Sequence, residues 1–196
     1  PVHPRLQDPG ATLLTFYVRD IDAVMARTEK NGVQVITPGG KPATIDGGKA
    51  RAAFFKDPTG YFVEVVQRNA PPPANAPVGN VIGASLGITV NDTEETTRFY
   101  RDMFGYKPET GASFVVDKPF TDAAGVPGAQ YRKSTALITG SNLLMEFFEY
   151  RGIDRTPMKA EIHDPGVAIM RLAVEDISAS LTGLKAAGVP IVNWSG

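Results

Sequence analysis

Two glutamates interrupt runs of apolar residues in this chain. Glu64 lies between Tyr61-Phe62-Val63 and Val65-Val66, and Glu146 lies between Leu143-Leu144-Met145 and Phe147-Phe148. A charge in such an apolar strand is costly unless the carboxylate is solvated, bound to a metal or protonated. If both side chains face one cavity without a metal, repulsion and desolvation raise the pKa of at least one of them. Such a pair can act as general acid and base in a proton transfer.

The composition excludes several other kinds of chemistry. The 196 residues contain no cysteine, so disulfides, thiolate metal sites and cysteine nucleophiles are absent and a cytoplasmic location is predicted. His3 lies in a terminal tail and His163 in a linker, and as isolated histidines they are predicted to be solvated or locally hydrogen-bonded rather than ligands. The chain has no phosphate-binding Gly-rich loop and no GxSxG motif.

The charge and hydropathy of the sequence exclude several classes of binding partner. The 20 basic and 21 acidic residues are balanced, and no basic stripe is visible, so neither nucleic acid nor an anionic surface is a predicted partner. The sequence has no apolar stretch of the roughly 18 residues that a membrane span needs, and its start lacks signal-peptide character.

An internal repeat organises the elements that must position these glutamates. Residues 8–36 and 164–192 align, and Val18, Asp20 and Ile21 return as Val174, Asp176 and Ile177. Each copy predicts a strand, then an aspartate N-cap, then a helix that ends near a glycine. In the first copy, three more strands are predicted at 33–36, 50–55 and 61–66, with a turn at 57–60.

The same order of elements returns in the middle of the chain. A strand at 82–90, a helix at 93–103 capped by Asp92, and strands at 113–116, 131–138 and 142–148 are predicted, with a long Gly/Pro-rich loop at 118–130. Proline-rich or polar linkers at 69–80 and 152–165 then separate a module at 1–68, a module at 81–151 and a truncated repeat of the first at 166–196.

Two segments carry a family resemblance. Leu86–Glu109 resembles the first strand and helix of the vicinal oxygen chelate superfamily, the glyoxalase/bleomycin resistance protein/extradiol dioxygenase family, and Phe54–Gln67 resembles its DPxGxxxE hairpin. The resemblance implies an α+β fold built from βαβββ modules, whose curved mixed sheets pair into a cup.

The resemblance also implies where a site would lie. In the family, metal ligands project from the first and fourth strands of each module, and the fourth-strand carboxylate corresponds to Glu64 and Glu146. The first-strand position corresponds to Leu13, Ser85 and Ile169, none of which is a family ligand. Two carboxylates without imidazole would suit at best weakly held magnesium, calcium or manganese, so a divalent metal at Glu64 and Glu146 is disfavoured.

Strand alternation extends this site to a lining that suits a hydrophobic or aromatic small molecule. The predicted substrate-binding side chains are those of Leu13, Thr15, Tyr17, Phe62, Ser85, Thr89, Leu144 and Phe148.

Three functions stay open at this point. The first is a lyase, isomerase or dioxygenase-type enzyme with Glu64 and Glu146 as catalytic residues, which the retained glutamates favour. The second is a non-catalytic protein that sequesters a small molecule, as the bleomycin-resistance branch does, which the missing first-strand histidines favour. The third is a structural role for an incomplete repeat. Its uncovered edge and helix face predict a homodimer, with the tail after Pro165 exchanged.

The spacing of the repeat leaves one geometric question open. The offset between the copies holds two modules, so the duplicated unit is a module pair, and in a longer chain Glu64 and Glu146 could each face another module. Whether the two glutamates meet decides the site prediction.

Overall fold

The computed structural model describes residues 4–110, 113–138, 140–141, 143–159, 161, 164, 167 and 169–191. The first set of elements is β1 (Thr12–Val18), α1 (Ile21–Lys30), β2 (Ala43–Ile45), β3 (Ala50–Lys56) and β4 (Phe62–Arg68). The second is β5 (Val81–Thr89), α2 (Thr93–Phe104), β6 (Glu109–Thr110), α3 (Lys118–Ala123), β7 (Gln130–Leu137) and β8 (Leu144–Arg151), followed by α4 (Ile177–Ala186). None of the helices in these ranges is long and apolar enough to cross a membrane.

The strands form one mixed eight-stranded sheet in the order β2-β3-β4-β1-β5-β8-β7-β6. In each half the first strand runs parallel to the fourth, with Thr15 opposite Glu64 and Gly87 opposite Glu146. The halves join where β1 and β5 pair antiparallel, with Thr15 opposite Ser85. The predicted α+β class is confirmed. The first half has the βαβββ order, and the second half has the same order with α3 inserted between β6 and β7.

Alternation along the strands separates two sides of the sheet. Val63 and Val65 alternate along β4 with Glu64 and Val66. Val65 packs with Val18 and with Ile21 of α1, whereas Val66 belongs to a separate core cluster that also contains Phe120 of α3. The glutamate therefore lies on the α3 side of the sheet.

Aspartate caps fix the helix starts as the sequence predicts. Asp20 accepts the Ala23 N–H at 3.0 Å, and Asp92 accepts the N–H groups of Glu94 and Glu95 at 2.7 and 3.0 Å. Gly105 ends α2 in the left-handed conformation, with φ of 68°.

Two predicted edge strands are wrong in position. Residues 33–36 make only an isolated bridge between Val35 and Phe55, and β2 lies later in the chain. Pro38, which has no N–H, follows this segment closely and prevents a ladder from continuing. Likewise, 113–116 contributes only the Val115 bridge to Tyr131, and the paired edge strand is β6.

The predicted loop at 118–130 instead begins with helix α3. Asp117 caps it by accepting the Phe120 N–H at 3.1 Å, and Pro119 occupies the first turn, where its missing N–H costs nothing. The helix packs on the first half, where the buried Thr37 hydroxyl donates to the Ala123 carbonyl at 3.0 Å and accepts the Phe54 N–H at 2.8 Å.

The truncated repeat at 166–196 forms its helix without its first strand. Asp176 caps α4 by accepting the Ala179 N–H at 2.9 Å, as predicted. The described residues before it adopt no strand, because a strand needs a neighbour for its backbone hydrogen bonds. His3, His163 and Val192 lie outside the described residues.

Candidate functional site

Glu64 is a buried carboxyl group with one anchored oxygen. It lies in the middle of β4 and is 6% exposed. The Thr15 hydroxyl on β1 donates to its Oε2 at 2.8 Å, and no other described residue donates to this carboxyl group. Burial raises the pKa of Glu64 to about 7; the Thr15 hydrogen bond opposes the rise, and the nearby charge of Glu146 adds to it. Near neutral pH this group exists in both protonation states.

Glu146 is held on both of its oxygens. Ser85 on β5 donates to Oε2 at 2.7 Å, and the Lys133 ammonium on β7 donates to Oε1 at 2.6 Å. Burial lowers the pKa of Lys133, but the adjacent Glu146 charge and hydrogen bond more than offset this, so the pKa is raised. Lys133 and Glu146 therefore form a fixed ion pair beside Glu64.

The two glutamates line one cavity of about 270 Å³ on the α3 side of the sheet. This answers the geometric question that the repeat left open. The rest of the wall combines four aromatic rings with polar groups and small aliphatic side chains: Tyr17, Ile45, Asp46, Ala50, Val66, Arg68, Asp117, Phe120, Tyr131, Lys133 and Phe148.

The predicted substrate-binding residues divide into four groups. Tyr17 and Phe148 line this cavity, and Thr15 and Ser85 hold the glutamates. Leu144 lines an adjacent cavity of about 560 Å³. The others are placed elsewhere: Leu13 and Phe62 are part of the buried core, and Thr89 donates its hydroxyl to the Leu6 carbonyl at 2.6 Å.

Sequence reasoning missed Lys133, Tyr131 and Phe120. Tyr131 and Lys133 are two residues apart on β7, so the alternation applied to the other strands could have placed both on the glutamate side. Phe120 carried no such signal, because its position depends on α3, which was predicted to be a loop.

The aromatic side chains form a packed wall. The Tyr131 ring lies 4.8 Å from the Phe120 ring, and the Phe148 ring stacks on Phe120 and Tyr150 at 6.4 and 6.2 Å between centroids. Burial raises the pKa of Tyr131 to about 12, with smaller contributions from nearby carboxylates. The phenol therefore stays protonated at neutral pH, and Glu64 is the better proton acceptor.

The site does not fit a divalent metal. The Lys133 ammonium already contacts Glu146, and a second cation there would be repelled. The first-strand ligand positions are the apolar Leu13 and the hydroxyl of Ser85, which donates to Glu146. In the described part of the chain, no group of three His, Cys, Asp or Glu side chains is placed to hold a metal ion.

Comparisons with known proteins agree with this fold. The sequence model of the Glyoxalase/Bleomycin resistance protein/Dioxygenase superfamily matches residues 83–194, whereas no curated protein matches the chain.

Two solved structures are similar at low sequence identity. Methylmalonyl-CoA epimerase from Mycobacterium tuberculosis is 16% identical with a TM-score of 0.50, over 71% of this chain and 87% of that one. Glyoxalase I from Zea mays is 18% identical with a TM-score of 0.48, over 71% of this chain and 42% of that one, so the chain spans less than half of the maize enzyme. The family match covers more than half of the sequence, and the chain therefore belongs to the Glyoxalase/Bleomycin resistance protein/Dioxygenase superfamily.

Proposed function

We propose that this chain binds a small, mainly aromatic or apolar molecule in the glutamate cavity, and that Glu64 transfers a proton to or from it. The observation that carries the proposal is the buried Glu64 carboxyl group, whose pKa is raised to about 7 and which lines the ligand-sized space. A general acid or base works best when its pKa lies near the working pH.

The surrounding residues have distinct roles in this proposal. Thr15 orients the Glu64 carboxyl group, and Tyr17, Phe120 and Phe148 provide apolar and aromatic surface for the ligand. Glu146 has both oxygens engaged, so we assign it to anchoring rather than to proton transfer. Isomerase or lyase chemistry, which needs a proton donor and acceptor, is favoured over dioxygenase chemistry, because the residues do not fit a metal.

A second candidate function is sequestration of a ligand without chemistry. The adjacent cavity favours it, because this larger space is lined by Ile82, Leu144 and the prolines 71–73 and shares Tyr17, Val66 and Arg68 with the glutamate cavity. A ligand could fill the apolar space and leave Glu64 unused.

Hydrogen exchange distinguishes the two candidates. The wild type is incubated in D₂O with a panel of aryl ketones and aryl thioesters, and loss of the proton next to the carbonyl is followed by ¹H NMR. We expect the wild type to accelerate exchange and Glu64→Gln to slow it about 100-fold, the usual contribution of a positioned base. Glu29→Gln, on the exposed surface of α1, is the matched control and should behave as wild type.

Three other outcomes of this experiment would overturn one or both candidate functions. Saturation-transfer binding without accelerated exchange would support sequestration and overturn proton transfer. Exchange that is equally fast in wild type and Glu64→Gln would also overturn it. Absence of binding by the whole panel would contradict both candidates.

A further inference from the structure

We propose that Lys133 is the electrophilic residue of this site: its ammonium binds the carbonyl oxygen of the ligand while Glu64 exchanges the proton on the adjacent carbon. This inference rests on the proposed function and deepens it. It assigns the ligand to small aryl-bearing carbonyl compounds that have an ionisable C–H next to the carbonyl group.

Lys133 is fixed at the cavity wall. Its Nζ lies 2.6 Å from Glu146 Oε1 and 5.5 Å from the centre of the Phe148 ring, and Ser85 holds the other Glu146 oxygen. The Lys133 side chain is nevertheless 38% exposed. An ammonium has three N–H groups, and in the described part of the chain only Glu146 accepts one of them. The other two are available to a ligand oxygen.

The remaining charged groups of the cavity are engaged differently. Asp117 accepts the Phe120 N–H and caps α3, Asp46 lies in an exposed turn, and the Arg68 guanidinium lies 5.3 Å from the centre of the Tyr17 ring at the exposed end of β4. Lys133 and Arg68 both interact electrostatically with Glu64, Lys133 more strongly, and Lys133 also interacts with Glu146. Lys133 is therefore the cation best placed to act together with Glu64.

The chemistry balances without a co-reactant. The Glu64 carboxylate accepts the proton next to the carbonyl, the C–H electron pair forms a carbon–carbon double bond, and the carbonyl π pair moves to oxygen. The resulting enolate oxygen lies against the Lys133 ammonium, whose positive charge stabilises it. The reverse step returns the proton from Glu64 to carbon. The residues of the site do not fit a metal cation, and in this proposal the Lys133 ammonium supplies the positive charge instead.

Paired substitutions test this role without leaving a buried charge. Lys133→Gln combined with Glu146→Gln keeps a hydrogen-bonding pair but removes both charges. Two probes are compared by saturation-transfer NMR: phenylpyruvate, and the alcohol 3-phenyllactate, which keeps the carboxylate but has a hydroxyl group in place of the ketone carbonyl. We expect the double variant to bind phenylpyruvate about tenfold more weakly, the loss typical of one charged hydrogen bond, and to bind the alcohol as wild type does. Lys30→Gln on the surface of α1 is the control.

A measurement on the wild type needs a variant only to assign one signal. Addition of phenylpyruvate should shift the ¹³Cε signal of Lys133, which Lys133→Arg identifies by its disappearance. No shift, no binding of phenylpyruvate by the wild type, or equal binding by the double variant would each overturn the role of Lys133.

The inference and the proposed function can fail separately. If Glu64→Gln leaves exchange unchanged while the double variant loses phenylpyruvate, proton transfer by Glu64 is wrong and the oxygen contact with Lys133 stands. If Glu64→Gln abolishes exchange while the double variant retains both binding and exchange, the role of Lys133 is wrong and proton transfer by Glu64 stands.

Discussion

At the scale of single residues, Glu64 combines a stability cost with a chemical capacity. A carboxyl group buried on an apolar strand destabilises its charged form, and the same destabilisation brings its pKa to the neutral range. Groups that break a local rule of folding often mark a functional site.

The unfavourable burial of the Glu64 carboxylate predicts that the stability of the fold depends on pH. The pKa of Glu64 is raised from its ordinary value of 4.5 to about 7, so between these values the folded protein holds a proton that the unfolded chain releases. Stability should fall as pH rises through this window, by roughly 3 kcal/mol in total. Urea unfolding at several pH values should show this fall in wild type and Glu29→Gln but not in Glu64→Gln. A fall of equal size in Glu64→Gln would contradict the assignment.

The ion pair between Lys133 and Glu146 predicts a non-additive result. Lys133→Met alone leaves Glu146, which is 3% exposed, without its cation. We expect this variant to destabilise the fold by roughly 2 kcal/mol. The loss is smaller than for a fully buried pair because Lys133 is partly exposed. The double variant with Glu146→Gln should recover most of this loss in thermal unfolding. Simple addition of two single-variant losses would show that the residues are not coupled.

The sequence predicts the roles of these residues to different extents. Glu64 and Glu146 could be found because an acid inside an apolar strand is unusual. Lys133 is a weaker signal, because a lysine beside Arg132 and Ser134 is typical of an exposed strand. Alternation along β7 can place it on the glutamate side, but its ion pair depends on the position of Glu146 on the neighbouring β8.

At the scale of elements, the site depends on close packing where β1, β5 and β8 meet. A Cβ on Gly87 would lie 3.1 Å from the Phe148 ring, 3.2 Å from the Leu13 Cβ and 3.3 Å from the Leu13 carbonyl oxygen. Glycine at this point lets the strands approach each other next to the glutamates.

Gly87→Ala should therefore destabilise the protein by about 1–3 kcal/mol, as overpacking of a core usually does. Gly83→Ala on the same strand is the matched control, since its nearest contact, with the Tyr17 ring, is an ordinary 3.5 Å. The two melting temperatures measure the difference. Equal effects of both substitutions would contradict the packing explanation.

Central strands were easier to predict than edge elements. β1, β3, β4, β5, β7 and β8 follow from β-branched and apolar runs. The edge strands β2 and β6 have two or three residues, too few to show a period, and α3 is identified mainly by the Asp117 cap and by its burial against β2 and β3.

At the scale of the whole molecule, the two copies of the repeat have different surroundings. Ile21, the first residue of α1, is completely buried, whereas its counterpart Ile177 in α4 is 67% exposed, and Leu181 and Ile169 are also exposed. Apolar surface that one copy buries and the other exposes favours self-association. This surface is consistent with the homodimer expected from the sequence, which stays a prediction.

Ile177→Glu should weaken that dimer, because it places a charge in the apolar contact. Val78→Glu, in the exposed linker, is the control and should leave the association unchanged. Light scattering at micromolar concentration measures both. A monomeric wild type, or dimers equally stable in all three proteins, would contradict the assignment of this surface.

The proposed proton transfer requires that a protonatable Glu64 faces the ligand cavity. Its pKa can be measured directly by ¹³C NMR of protein labelled at the glutamate carboxyl carbon, with Glu64→Gln identifying the signal. We expect Glu64 to titrate near pH 7, the value to which burial raises its pKa. A midpoint near the ordinary value of 4.5 would contradict it.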